Sequence, residues 1–175
     1  MFWSRAPRAG VQAGRDLYAV AAAQARRPEL YTALGASDTP NGRFEVYSLH
    51  VILLLNRLKG RGDHAAETAQ ALFDAYVSTL DDALREQGVG DLSMGKKMRR
   101  LGEAFYGRVR SYHTALEALP DRGPLEDLLG RTVLAESRAP GGPLADYADR
   151  SAAHLAALPD DDVLAGRASW PEAAA

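Results

Sequence analysis

The run from Phe44 to Lys59, FEVYSLHVILLLNRLK, limits the possible folds more than any other part of the chain. Phe44, Tyr47, Val51, Leu54 and Leu58 recur at three- and four-residue steps, which places them on one face of a helix. Val46, Leu49, Ile52, Leu53 and Leu55 fill other faces. A helix apolar almost all round has no side to give to water, so it belongs at the centre of a shell of other elements. The longest apolar run, Leu49 to Leu55, is interrupted by His50 and falls far short of the roughly 20 residues that span a bilayer. The spacing predicts a buried central helix over Arg43 to Lys59. Thr39-Pro40 is its start signal, and Gly60 and Gly62 are its stop.

The shell is helical too. Asp63 is placed to cap a helix running to about Gln87, with Leu72, Phe73, Tyr76, Leu80 and Leu84 inward and Gly88 just past its end. A third long helix follows from Leu92 to Leu119 on a stripe of Met98, Leu101, Phe105, Val109, Tyr112 and Leu116, with a bend or break expected near Gly107. Shorter helices are expected at about 11–26, 28–34, 122–136 and 144–158, and no segment alternates with the period of a strand. The fold class is all-α, a single compact multi-helix domain around a buried central helix. Its core spans about 11–159, between a flexible N-terminus and a loosely held tail after Pro159, against which Trp170 is expected to pack back. A chain of 175 residues is long enough for one such core. The absence of cysteine excludes disulfides, thiolate zinc sites and iron–sulfur clusters. The opening MFWSRAPRAG has no secretory h-region. Arg5, Arg8 and Arg15 precede the first acid, Asp16. A frayed end is expected there, with a transit peptide or a basic, aromatic-tipped membrane contact as the alternatives.

Enzymatic chemistry finds little support. Gly90-x4-Gly95-Lys96 is nearly a phosphate-binding loop, but an amphipathic helix precedes it where a strand is needed. Lys97 also stands at the magnesium-binding Ser/Thr position. A helix–turn–helix corner explains these glycines. Asp81-Asp82 is followed by Arg85 where the aspartate-rich motif of helical prenyl-transfer enzymes has its third acid. His50, His64, His113 and His154 form no pair of metal-site spacing, and no Gly-x-Ser-x-Gly elbow occurs. His50 reads as a hydrogen-bonded core histidine. The expectation is a non-enzymatic protein without metal or cofactor.

What stands out is charge. Lys96, Lys97, Arg99, Arg100, Arg108 and Arg110 face only Glu103, a net +5 over fifteen residues in a chain whose total is −2. At about 100° per residue the cations fan away from the Met98–Leu119 stripe. They are expected to form a solvent-facing basic surface, either simply solvated or binding RNA phosphates, anionic lipid heads or an acidic protein. No aromatic platform accompanies it, so sequence-specific RNA reading is not expected, nor is DNA a partner.

Several short pieces carry a resemblance. They are Asp38-Thr39, Gly42-Arg43-Phe44, Leu49-His50, Leu72-Phe73-Asp74, the run Arg85 to Asp91, Gly95-Lys96-Lys97 and Phe105-Tyr106-Gly107-Arg108. Jointly they resemble the ubiquinol–cytochrome c chaperone family from about Tyr31 to Arg108, and more loosely to about residue 160. The resemblance implies an all-helical assembly factor for the cytochrome bc1 complex that binds newly made cytochrome b or another bc1 subunit. In mitochondrial relatives it also implies a small partner protein and the ribosome. Asp38, Arg43, His50, Asp74, Asp91 and Tyr106 are the family-motif positions, with packing roles as the alternative. The absence of a long presequence makes the chain look bacterial, and so cytoplasmic or peripheral at the inner membrane; a eukaryotic source would make it mitochondrial. The competing reading is a peripheral adaptor whose basic helix binds anionic lipid or RNA.

Overall fold

A computed structural model describes residues 9–173. It contains α1 (Ala9–Ala25), α2 (Pro28–Thr32), α3 (Pro40–Leu58), α4 (Asp63–Glu86), α5 (Asp91–Glu117), α6 (Gly123–Arg131), α7 (Gly141–Ala157) and α8 (Asp160–Leu164), with no strand among the described residues. The basic segment with Arg5 and Arg8 lies outside them.

The central helix is α3. Every residue from Leu49 to Leu54 is at most 2% exposed, and α1, α4, α5 and α7 all pack around it. Its start follows from side-chain chemistry. Thr39 Oγ1 accepts from the Gly42 amide at 3.0 Å, and Pro40 occupies the first turn, where no amide is needed. The next start differs from expectation: Gly62 (φ 88°) holds the cap position, so Asp63 is the first helical residue and makes no capping bond.

The closest pairing is α1 against α4, and Gly14 makes it possible. A Cβ there would lie 2.5 Å from the Thr68 carbonyl oxygen and 2.5 Å from the Ala71 methyl. Alanine is the better helix former by about 1 kcal/mol, so the glycine is explained by close approach alone. Gly14→Ala is expected to destabilise the fold by about 1–3 kcal/mol through overpacking against backbone, read from the urea midpoint. A midpoint raised by the substitution would show that the two helices yield.

Three further expectations need correction. α5 runs unbroken through Gly107, because Phe105 and Tyr112 are anchored in the core on either side. α6 ends at Arg131, where Thr132 Oγ1 turns back to donate to the Leu128 carbonyl at 2.7 Å; buried Val133 and Leu134 follow in turns. The tail after Pro159 is not loose. It forms α8, whose Val163 is fully buried, and continues as a strap that sets Trp170 edge-on against His50 at 4.9 Å. Arg57, buried in α3, holds this end in place. It donates to the Leu155 and Leu158 carbonyls at 2.7 Å each and to Asp160 at 2.6 Å. The last carbonyls of α7 are thus satisfied by a side chain from the central helix.

Candidate functional site

The α4–α5 hairpin carries the residues that the sequence singles out. Its corner is built by Gly88 (φ 79°): the Gly88 amide donates to Arg85 O at 2.9 Å and the Val89 amide to Leu84 O at 3.1 Å. This paired closure needs a left-handed residue just past the helix, which glycine supplies without strain. The Arg85 side chain bridges Asp81 at 2.7 Å and Asp91 at 2.9 Å, and both carboxylates hold its guanidinium above the usual arginine range. The near-phosphate loop is therefore a corner between two helices, with Asp91 in the first turn of α5, where the helix dipole favours an acid.

Beyond the corner, Lys96, Lys97, Arg99 and Arg100 are exposed, as is Arg110 farther along α5. None of these five side chains has a hydrogen-bond or ion-pair partner among the described residues. Arg108 departs from the expected surface. It turns inward and binds Glu45 bidentately, Nε to Oε2 at 2.9 Å and Nη2 to Oε1 at 2.6 Å. Glu45 sits on α3 and is 4% exposed, against 29% for Arg108. A buried carboxylate needs a partner, and the cation three residues past Phe105 is the one within reach.

The other motif positions do not converge on one site. Asp38 and Arg43 form an exposed ion pair at 2.6 Å beside the start of α3. Asp74 lies on the surface of α4 and accepts from Gln70 at 2.8 Å. Tyr106 is 56% exposed, with its ring 5.7 Å from that of Phe73, which also packs on Phe105. His50 is wholly buried. Its Nδ1–H donates to Val46 O at 2.8 Å, and its Nε2 accepts from the Tyr147 hydroxyl at 2.7 Å. No group of His, Asp and Glu among the described residues is arranged to hold a metal. None of the helices among them is long and apolar enough to cross a membrane.

Two features escape the sequence reading. Leu92, at the start of α5, stands fully in solvent. Phe44, Tyr47, Leu80 and Leu84, expected inward, are only half-buried, and with Leu101 they line a groove of about 660 Å³. Arg26 and Arg43 stand on one bank, with Asp82 and Glu86 on the other. The groove opens on the same hairpin that carries the free cations.

The pattern describing the ubiquinol-cytochrome C chaperone family matches residues 32–170. The chain belongs to this family. A solved relative shares the whole arrangement: the crystal structure of the Cbp3 homolog from Brucella abortus superimposes with a TM-score of 0.85 at 32% identity. The match covers 94% of this chain and 92% of that one. A comparison with curated proteins finds no match. The family match runs from the end of α2 through the C-terminal strap to Trp170. The segment after Pro159 is thus part of the chaperone fold and no appendage to it.

Proposed function

We propose that this chaperone assists assembly of the cytochrome bc1 complex without catalysing a reaction, by holding newly made cytochrome b against the α4–α5 hairpin. It would do so from the cytoplasm or at the inner membrane surface. One observation carries this reading: unpaired cations on α5 stand beside a half-open groove with an apolar floor and charged banks. Family membership supports the assembly role. The groove offers apolar surface to a segment of client not yet packed, and the cations favour one with acidic flanks.

A Lys96→Glu, Arg100→Glu variant tests it. Exposed charges contribute about 0–1 kcal/mol each, so the variant is expected to remain folded and to reach normal levels in cells. Capture of cytochrome b should fall by about tenfold or more, and capture by the unaltered protein should weaken as salt rises. Depletion of assembled bc1 complex is the expected outcome; normal assembly with both charges reversed would remove the hairpin from the client site. The exposed Leu92, one turn before Lys96, favours a second reading in which the same tip rests on anionic lipid. Salt-sensitive binding to anionic vesicles, with cytochrome b capture intact in the variant, would select it over the first.

A further inference from the structure

A second groove lies at the other end of α5, about 20 Å along the helix from Lys96. Its floor and walls are Ile52 and Leu55 of α3, Ala66 and Ala69 of α4 and Val109 of α5, enclosing about 580 Å³. On one bank stand Lys59, Arg110 and His113, and no carboxylate lines the groove. Lys59 Nζ donates to His113 Nε2 at 2.8 Å, which fixes the lysine along that bank. Glu117 reaches the same imidazole at 3.2 Å from outside the lining. The Arg110 guanidinium has no partner among the described residues.

We infer that this groove is a binding site for an amphiphile with one acyl chain and an anionic head, the chain lying along Leu55, Ala69 and Val109 and the head meeting Arg110 and Lys59. The charge distribution selects the head: all of the ionisable groups on the bank are basic, and Arg110 lacks an internal partner. The walls select the tail, since away from the basic bank their only polar side chain is Asn56. The volume suits a small amphiphile. The same volume lies well within the roughly 300–1,000 Å³ of small-molecule sites. The site is separate from the α4–α5 corner and does not depend on how the client is held.

Titration of the full chain with palmitate and with palmitoyl-lysophosphatidylglycerol, both below their micelle concentrations, tests the inference, with hexadecanol as the uncharged control. Saturable one-to-one binding of at least one anionic amphiphile is expected, and hexadecanol should bind more weakly. Preference for palmitate would indicate a free fatty acid as the natural occupant; preference for the phosphate head would indicate a membrane lipid. Ala66→Phe, an exposed helical position on the groove wall, should fill the site and weaken binding at least tenfold while the melting temperature holds. Lys59→Glu with Arg110→Glu should weaken the anionic amphiphiles at least tenfold and leave hexadecanol nearly unchanged. Lys96→Glu with Arg100→Glu should alter none of these affinities. Absence of saturable binding by either amphiphile would overturn the assignment. So would binding that survives Ala66→Phe, or anionic binding that survives the Lys59 and Arg110 reversals.

Discussion

Replacing Arg108 by alanine is expected to cost the fold about 3–5 kcal/mol, the range for breaking a buried ion pair at one partner. The urea midpoint reads it. The substitution leaves Glu45 on the central helix, 4% exposed, with all of its guanidinium bonds gone. The two partners differ in what they can do when left alone. Arg108 is 29% exposed, and its long stem can carry the head out to water. Glu45 has no such route. Glu45→Ala should therefore cost less than Arg108→Ala, and the double alanine variant should be more stable than Arg108→Ala alone. If Glu45→Ala proves the more damaging single change, the pair is not stabilised as argued and the exposed end is the important one.

The second large effect is acid destabilisation through His50. Burial lowers its pKa from the ordinary histidine value to about 4, and the Val46 carbonyl only partly opposes this. The ring is held neutral with Nδ1–H donating to that carbonyl. Protonation would make Nε2 a donor toward a Tyr147 hydroxyl that already accepts from Gln24 at 2.9 Å. Between pH 6.5 and about 4 the unfolded chain binds a proton at this residue and the folded chain does not. Stability thus falls as pH falls through that window and is fully present above it. A shift of this size corresponds to a loss on the order of 3 kcal/mol by pH 4. The urea midpoint measured from pH 7 to pH 4 should show the decline, and His50→Gln should flatten it while lowering stability at pH 7. A slope unchanged in the variant would assign the acid sensitivity to other groups.

The helical architecture was legible because the apolar spacing in α3, α4 and α5 is dense and regular, and because Thr39, Gly60 and Gly88 mark helix ends by local chemistry. What the sequence concealed depends on contacts far apart in the chain. Glu45 looks like an ordinary polar residue near the start of α3 until Arg108 is folded against it. Arg57 resembles a basic last-turn residue, and nothing near it announces that its partners are the carbonyls 98 and 101 residues later. The tail reads as acidic and loose because the reason for its order sits on α3. The grooves are hidden for a different cause. Periodicity tells which face of a helix is apolar, but whether Phe44, Leu84 or Val109 meets another side chain or an open channel is set by how α3, α4 and α5 pack together.

The strap that brings Trp170 onto His50 joins residues made far apart in time. At about 5–20 residues per second, the 120 residues from Val51 to Trp170 take roughly 6–24 s to be made. Throughout that interval the most apolar helix of the protein exists without its last cover, and Arg57 waits almost as long for Asp160. The central helix is thus made well before it is covered, so its own ribosome-bound stage presents the kind of unsheltered apolar surface that other chaperones recognise. Pulse-labelled chains stopped before α7 should accordingly be more readily digested within α3 than chains released after Trp170.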